Sequence, residues 1–200
     1  MYDQSFWNKR YDDNAYLYGT RPNSFLAQNV DALRSPVLSL SEGEGRNAVF
    51  LASHGLSVLG VDCSEVGLDK AKKLAKARNV TIETEIADLA YFKPKESHYG
   101  SVISISAHLP STIRNQLYPL IERALRADGI LLLEAYSENQ LSKDTGGPKD
   151  IDMLMTVDKL KREFAHLDTV LLREIEREVS EGKGHTGTAS VVQFIARKKA

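Results

Sequence analysis

The sequence predicts a single α/β domain around a doubly wound sheet of seven strands, mostly parallel, with an antiparallel hairpin at the end of the chain. Five short apolar runs alternate with helical patterns between residues 36 and 136, which is typical of parallel strands that helices cover on both faces. Two longer strand-like runs then flank a glycine-rich turn at residues 181–185, and so short a turn joins antiparallel strands. The predicted sheet is therefore parallel, with a reversed strand at the end of the chain.

The elements follow one another as strand and helix along the first two thirds of the chain. The predicted strands lie at 36–41, 56–62, 80–88, 101–106 and 129–136. The first helix begins near Arg46 and ends at Gly55, since glycine suits a helix C-terminus. The second has Ser64 as its N-cap, and its many lysines are expected on its solvated face. The third contains Pro119, which predicts a kink or a late start.

Composition limits the classes of function. Of the 200 residues, 42% are hydrophobic and 26% are charged, and the net charge is -1. These values fit a soluble globular protein and lack the positive field of a nucleic-acid binder. The single cysteine, Cys63, excludes an intrachain disulfide and indicates a reducing compartment. With no signal-peptide pattern, no membrane-length apolar run and no metal-ligand spacing, we expect a cytoplasmic protein without membrane, nucleic-acid or metal binding.

A glycine-rich turn follows the first predicted strand and points to a bound cofactor. Its sequence is Glu42-Gly43-Glu44-Gly45, directly ahead of a helix. Glycines let the backbone approach a ligand, and a helix N-terminus offers unpaired N–H groups. Asp62 ends the next strand, where a carboxylate can accept hydrogen bonds from ribose hydroxyls. The alternative is a merely tight turn followed by an aspartate that caps the next helix.

Two classes of cofactor fit this turn. The spacing of Gly43, Gly45 and Ala48 matches the dinucleotide pattern G-x-G-x-x-A. However, Glu42 and Glu44 would repel a pyrophosphate. S-adenosylmethionine has a cationic sulfonium and no phosphate, so these carboxylates tolerate it better. The terminal hairpin also favours S-adenosylmethionine, because a dinucleotide domain usually continues with parallel strands.

The chain as a whole resembles the class I S-adenosylmethionine-dependent methyltransferases. The resemblance is carried by "VLSLSEGEGRNA", "VLGVDCS", "EIADL", "SVISISAHLP" and "RADGILLLEAY", in the family's order. Within that superfamily the chain is similar to the tellurite-resistance and thiopurine methyltransferase branch. That similarity rests on "FWNKRYDDNAYLYGTRPNSFL" and "DTGGPKDIDMLMT". It implies a Rossmann-like methyltransferase fold over residues 1–200, with an N-terminal lid at 1–32 and an insertion after the fifth strand at 137–156.

The resemblance also implies a role for individual residues toward S-adenosylmethionine and its product S-adenosylhomocysteine. By this resemblance, the turn binds the methionine end of the cofactor through Ser41, Glu42, Gly43 and Gly45. Asp62 is implied to bind the ribose, with Cys63 and Ser64 beside it. Asp88 and Leu89 are implied to contact the adenine. Ser104 and Ser106 are implied near the transferable methyl group, and Tyr11 as an aromatic cover.

Three positions depart from the family's usual pattern. Ser39 replaces an acid that often binds the methionine amino group, so Glu42 or a water would have to substitute. Ser41 replaces the first glycine of the turn, and Gly100 replaces an acid near the start of the fourth strand. These departures keep open a non-catalytic protein that binds S-adenosylmethionine.

The acceptor is expected at the carboxyl ends of the parallel strands, where ligands of such sheets bind. His108 is our candidate base or orienter, Arg114 a polar anchor, and Tyr18 a contribution from the N-terminal segment. His185, in the hairpin turn, is a weaker candidate. The branch resemblance favours methyl transfer to a small molecule through a thiol, selenol or telluride. The alternatives are an oxygen or nitrogen acceptor and a dinucleotide-dependent oxidoreductase.

Overall fold

The structure is a computed structural model and describes residues 3–199, so residues 1, 2 and 200 of the predicted domain lie outside the described residues. The helices are α1 (Gln4–Tyr11), α2 (Ser24–Gln28), α3 (Arg46–Ser53), α4 (Glu65–Ala77), α5 (Ser111–Ala124) and α6 (Val157–Glu163). The strands are β1 (Val37–Leu40), β2 (Val58–Asp62), β3 (Glu83–Ile86), β4 (Tyr99–Ile105), β5 (Leu125–Tyr136), β6 (Leu167–Glu181) and β7 (His185–Lys198). None of these helices is long and apolar enough to cross a membrane.

The strands form one sheet in the order β3-β2-β1-β4-β5-β7-β6. The strands β1 to β5 pair in parallel, and β7 pairs antiparallel with both β5 and β6. The predicted fold class, a mostly parallel sheet with a terminal hairpin, is confirmed. Because β6 runs in the same direction as β1 to β5, the turn between β6 and β7 lies at the carboxyl edge of the sheet. The strand order reverses between β1 and β4, which places the ligand-binding crevice of a doubly wound sheet there.

Successive residues of the central strands enter two different hydrophobic clusters. In β5, Leu131 and Leu133 belong to one cluster, and Ile130 and Leu132 to the other. Side chains of a strand alternate between the two faces, so the centre of the sheet is buried on both faces. This double burial explains why the strands appear in the sequence as continuous apolar runs.

Among the boundaries that differ from the predictions, the starts of β5 and α5 depend on partners distant in the sequence. Residues 125–128 extend β5 ahead of the predicted start, since Leu125 pairs with Tyr99 of β4. Helix α5 begins at Ser111, so Pro119 lies inside it and does not delay its start. The backbone N–H and the hydroxyl of Ser111 donate to Asp152 Oδ2, at 2.7 and 3.0 Å.

Candidate functional site

A cavity of about 740 Å³ opens at the carboxyl ends of β1, β2 and β4. Its wall includes α1 with the segment that follows it, the loop after β4, the 146–148 segment and the β6–β7 turn. The sequence-predicted residues in its lining are Tyr11, Tyr18, Ser41, Glu42, Gly43, Asp62, Cys63, Asp88, Leu89, Ser106 and His108. Gly45, Ser64, Ser104 and Arg114 are not among the lining residues.

Glu42 closes the N-terminus of α3. Its Oε1 accepts the backbone N–H groups of Asn47 and Ala48, at 3.2 and 2.9 Å. Its Oε2 accepts a short hydrogen bond from the hydroxyl of Ser39 at the end of β1. Burial raises the pKa of Glu42, while these hydrogen bonds oppose the shift. Glu42 therefore brings a carboxylate onto Ser39, the position where the methyltransferases that the sequence resembles often have an acid.

Asp62 lies at the end of β2 and is almost wholly buried. Its Oδ2 accepts the N–H of Gly43 at 2.9 Å, and its Oδ1 accepts the N–H of Ser64 at 2.8 Å. Burial raises the pKa of Asp62, and the two backbone donors work against that rise. The carboxylate ties the β1–α3 turn to the end of β2 and borders the cavity with its remaining acceptor capacity.

The backbone of the turn has a left-handed conformation at three positions. Ser41 has φ of 51°, the region that a glycine adopts without strain, so the serine keeps the turn geometry of the glycine it replaces. Gly43 has φ of 59°, and a Cβ there would come within 2.7 Å of the Tyr11 hydroxyl. Gly45 has φ of 92°, and a Cβ there would lie 2.6 Å from Ala71 of α4. Gly45 thus allows α3 and α4 to pack closely, and it makes no wall of the cavity.

The end of the cavity near β2 and β3 combines acidic and apolar groups. Asp88 is exposed and accepts the N–H of Ala90 at 2.9 Å, while Leu89 beside it is buried. Ile86, an apolar residue that the sequence analysis did not single out, is half exposed in the wall. Burial and the charges of Asp62 and Asp88 raise the pKa of Cys63 to about 12. Cys63 is therefore a neutral thiol beside the cavity and not a reactive thiolate.

Lys70 of α4 holds the segment after α1 over the turn. Its Nζ donates to the carbonyl oxygens of Tyr11, Asp13 and Ala15, at 3.2, 2.8 and 2.7 Å. It also pairs with Glu44 Oε1 at 2.5 Å. The expectation that the lysines of this helix are all solvated is wrong for Lys70, which is 7% exposed. Its buried charge neutralises Glu44.

Two predicted cofactor residues, Ser64 and Ser104, do not line the cavity, and Gly100 lies away from it. Ser64 is the N-cap of α4, where its Oγ accepts the N–H of Gly67 at 3.0 Å and donates to Asn8 at 2.7 Å. Ser104 is buried inside β4. Gly100 lies at the opposite end of β4, where a Cβ would come within 2.7 Å of the Arg34 carbonyl oxygen. Close backbone packing therefore accounts for the glycine at position 100.

The geometry of His108 contradicts its predicted role as a base. His108 borders the cavity, but its Nε2 accepts the backbone N–H of Tyr136 at 3.1 Å. Its ring stacks on that of Tyr136, with centroids 5.2 Å apart. Burial and the neighbouring His185 lower the pKa of His108 to about 3. A neutral imidazole whose free lone pair already accepts a backbone hydrogen bond takes no proton from a substrate.

Arg114 is likewise not the acceptor anchor that was predicted. Its guanidinium donates to Glu163 through Nε and Nη2, at 2.9 and 3.1 Å. Its Nη1 donates to the carbonyl oxygens of Leu109 and Asp152, at 2.5 and 2.6 Å. Arg114 joins α5, α6 and the insertion after β5, and its side chain is 2% exposed. These partners are distant in the sequence, which is why the sequence pattern did not reveal the role.

His185, the weaker candidate of the sequence analysis, lies in the cavity wall at the start of β7. His185 borders the cavity with its Nδ1 3.5 Å from Glu181 Oε2. Arg46 also borders the cavity, and its Nη2 donates to the same oxygen at 2.8 Å. Arg46 Nη1 is buried and has no hydrogen-bond partner in the described part of the chain. Tyr18 lies against the His185 ring, with centroids 4.5 Å apart.

Comparison with protein families finds a match to a family model described as a methyltransferase domain, over residues 37–129. The 2-heptyl-1-hydroxyquinolin-4(1H)-one methyltransferase of Mycobacteroides abscessus is 25% identical over 118 residues, 58% of this chain and 52% of that protein. The tRNA (uracil(54)-C(5))-methyltransferase of Pyrococcus abyssi is 31% identical over 101 residues, 42% of this chain and 24% of that protein. The chain thus spans about half the length of the first relative and a quarter of the second.

Solved structures share the fold over nearly the whole chain. A structure on the conversion of a disulfide bond into a thioacetal group during echinomycin biosynthesis has a TM-score of 0.81 and 16% identity, covering 98% of this chain and 92% of that one. TehB from Haemophilus influenzae has a TM-score of 0.71 and 19% identity, covering 98% and 67%. A SAM-dependent methyltransferase from Methanosarcina mazei has a TM-score of 0.66 and 16% identity, covering 90% and 99%. At these identities the likeness shows the fold alone.

Proposed function

We propose that this protein transfers a methyl group from S-adenosylmethionine to a small molecule, on the premise that it carries a methyltransferase domain in residues 37–129. Within that class we favour a thiol or a comparably soft acceptor, in keeping with the tellurite-resistance and thiopurine branch. The alternatives are an oxygen or nitrogen acceptor and a protein that binds the cofactor without catalysis.

The observation that carries the choice of cofactor is the position of the Glu42 carboxylate. A pyrophosphate in a doubly wound fold binds to the free N–H groups at the first helix N-terminus. Here Glu42 already accepts the N–H groups of Asn47 and Ala48. A dinucleotide would meet a buried carboxylate where it needs donors, whereas a cationic cofactor without phosphate meets no such conflict. This argues against the dinucleotide-dependent oxidoreductase.

The residues of the cavity fit S-adenosylmethionine. Asp62 has acceptor capacity for ribose hydroxyls, and Ile86 and Leu89 offer apolar surface to an adenine. Arg46 Nη1, buried and unpaired, is a donor suited to a carboxylate. When bound, this cofactor supplies a methyl group on a sulfonium, which makes the carbon electrophilic. The chain's part is to align the acceptor and to exclude water, because in-line displacement depends on close alignment.

The wall beyond the cofactor end suits a small, uncharged acceptor. The loop after β4, the start of α5 and the 146–153 stretch contribute Leu109, Pro110, Ile113, Pro148 and Met153 to the lining. Apolar walls with a few polar groups are typical of small-molecule sites. One curated relative is a methyltransferase of a quinolone, and the echinomycin structure concerns sulfur chemistry. The net charge of -1 argues against tRNA, which the archaeal relative's name specifies.

Calorimetric titration tests the cofactor. We expect S-adenosylhomocysteine to bind with a micromolar dissociation constant and NAD to show no binding. Binding of NAD without S-adenosylhomocysteine would refute the proposal. A thiol, a phenol and an amine, assayed in parallel with S-adenosylmethionine, then rank the acceptor atoms, and no turnover of any of them would favour the non-catalytic alternative.

The variant Asp62→Asn tests the ribose contact. We expect it to weaken S-adenosylhomocysteine binding roughly 10- to 100-fold, because hydrogen bonds to a charged acceptor contribute about 1.5–3 kcal/mol. Asp69→Asn is the matched control, since that side chain is about half exposed on α4 and forms an ion pair with Lys72. Equal affinities of Asp62→Asn and wild type would exclude the ribose assignment.

A further inference from the structure

We propose that His185, oriented by Glu181, is the general base of the reaction, and that the acceptor is a small apolar molecule whose nucleophile is still protonated when it binds. This inference rests on the proposed methyl transfer and goes beyond it by assigning the base and the protonation state of the substrate. Its basis is a histidine with one nitrogen facing a buried carboxylate, the other nitrogen unpaired, and its ring in the cavity wall.

Glu181 is held as a carboxylate by fixed donors. Arg46 Nη2 lies 2.8 Å from its Oε2, and Arg177 Nη2 and Asn23 Nδ2 lie 3.1 and 3.0 Å from its Oε1. Burial alone would raise the pKa of Glu181, but the hydrogen bond from His185 and the two arginine charges bring it well below its usual range. Glu181 is therefore an acceptor at neutral pH.

The carboxylate selects the tautomer of His185. His185 Nδ1 lies 3.5 Å from Glu181 Oε2, and such catalytic contacts often shorten once substrates are bound. Because an ionised carboxylate only accepts, the neutral imidazole places its proton on Nδ1 and leaves the lone pair on Nε2. This is the orientation that a carboxylate imposes on a catalytic histidine in hydrolase triads.

The lone pair of Nε2 is available to a ligand. Nε2 has no hydrogen bond with any of residues 3–199, whereas the Nε2 of His108 accepts the N–H of Tyr136. The rings of Tyr18 and Tyr136 lie 4.5 and 5.3 Å from that of His185 and restrict its rotation. The Cδ2 edge of the ring, next to Nε2, faces Gly146, which also borders the cavity.

The apolar part of the cavity wall explains why a base is needed. The loop after β4, the start of α5 and the insertion contribute apolar side chains to the same cavity, among them Leu109, Ile113 and Met153. An apolar wall favours a neutral acceptor over an anion, since burying an unpaired charge is costly. A free thiol titrates near pH 8.5 and is mostly protonated at neutral pH. The proton must therefore leave after binding.

The step balances without a further reactant. As the thiol sulfur forms its bond to the methyl carbon, the bond from that carbon to the sulfonium breaks, and the S–H proton passes to His185 Nε2. The products are a thioether, S-adenosylhomocysteine and the imidazolium of His185, paired with Glu181. The imidazolium then returns its proton to water. No oxidation or reduction takes place.

The variant His185→Gln tests the base with two thiols at neutral pH. Benzyl mercaptan is protonated there, and 4-nitrothiophenol is already ionised. We expect kcat/KM for benzyl mercaptan to fall roughly 100-fold, the usual contribution of general base catalysis. For 4-nitrothiophenol we expect a change of less than about threefold. His54→Gln, an exposed residue at the end of α3, should leave both values unchanged.

A second measurement does not depend on turnover. Long-range ¹H–¹⁵N correlation spectra of the S-adenosylhomocysteine complex, assigned by comparison with His185→Gln, should show neutral His185 protonated on Nδ1 and not on Nε2. The opposite tautomer would overturn the role of His185, and so would an equal fall in the kcat/KM of His185→Gln for both thiols. Wild-type protein that binds S-adenosylhomocysteine but methylates neither thiol would overturn the acceptor class. Failure to bind S-adenosylhomocysteine would instead refute the proposed function itself.

Discussion

At the scale of single residues, Arg46 connects the glycine-rich turn before α3 to the β6–β7 hairpin. It is the first residue of α3, directly after the turn, and it reaches across to Glu181 of the hairpin. One guanidinium nitrogen is satisfied there, while Nη1 is buried without a partner in residues 3–199. A buried unpaired donor is costly in an isolated protein. A ligand carboxylate at the methionine end of the cofactor would complete its hydrogen bonding.

The variant Arg46→Met separates this contact from the rest of the cofactor. We expect S-adenosylhomocysteine to bind roughly 10- to 100-fold more weakly, because a charge-assisted hydrogen bond is lost. Binding of 5′-methylthioadenosine, which lacks the amino-acid carboxylate, should change less than about threefold. Calorimetry measures the dissociation constants of both ligands, and their ratio reports the contact with the carboxylate.

The control for Arg46 is Arg177→Met. Arg177 also pairs with Glu181, but it does not border the cavity. Its loss disturbs the same buried network and should leave the ratio of the two ligands unchanged. If Arg46→Met weakened both ligands equally, Nη1 would have no specific contact with the carboxylate.

Residue types and positions at strand ends could be predicted, whereas partners could not. Asp62 and the glycine turn follow from local patterns, and the structure places Asp62 and Gly43 together at the cavity. His108 and Arg114 stand in comparable positions in the sequence. In the structure, His108 accepts a hydrogen bond from Tyr136, and Arg114 donates to Glu163. No local pattern in the sequence predicts these contacts.

At the scale of elements, α1 and the segment after it form a cover over the cavity, and one buried lysine makes several of the hydrogen bonds that attach it. Lys70 Nζ donates to three carbonyl oxygens of residues 11–15 and pairs with Glu44. Helix α1 is itself mostly exposed, with Tyr11 as its only buried residue. Its position over the cavity therefore depends on contacts of this kind more than on its own hydrophobic face.

The double variant Glu44→Gln/Lys70→Met tests this attachment. Removing both charges avoids leaving Glu44 buried and unpaired, and the glutamine can still accept the Tyr18 N–H that Glu44 accepts at 3.3 Å. We expect trypsin to cleave after Lys9 and Arg10 at least about tenfold faster, because local opening becomes easier. S-adenosylhomocysteine should slow the cleavage again.

Mass spectrometry of timed digests measures the cleavage. Lys72→Met is the control, since Lys72 is an exposed residue of the same helix and pairs with the equally exposed Asp69. It should leave the rate at the two sites unchanged. Cleavage of the double variant at the wild-type rate would show that other contacts hold the segment.

At the scale of the whole molecule, the sheet could be predicted because its central strands are buried on both faces and its last two strands share a short turn. The parallel direction of β6 could also be anticipated, and it brings His185 to the carboxyl edge. The charge network behind that edge could not. It joins Asn23, Arg46, Glu134, Arg177 and Glu181, which come from five separate parts of the chain.

This network makes stability depend on pH through Glu181. Its pKa in the folded protein lies below the unfolded value of about 4.3. The unfolded chain therefore binds more protons at acidic pH, and the stabilisation by Glu181 is fully present above that value and lost as the pH falls below it. Burial raises the pKa of Glu42 and Asp62, which act in the opposite direction.

The variant Glu181→Gln isolates this contribution, because Glu42 and Asp62 titrate alike in both proteins and cancel in the difference. We expect the variant to be less stable than wild type at pH 7, since Arg46 loses its ionic partner. The difference in the free energy of unfolding should shrink as the pH falls from about 6 to about 3.5. Urea unfolding at several pH values measures it. Glu176→Gln, in an exposed pair with Lys143, should differ little from wild type throughout. A difference for Glu181→Gln that stayed constant with pH would mean that Glu181 titrates alike in the folded and unfolded chains.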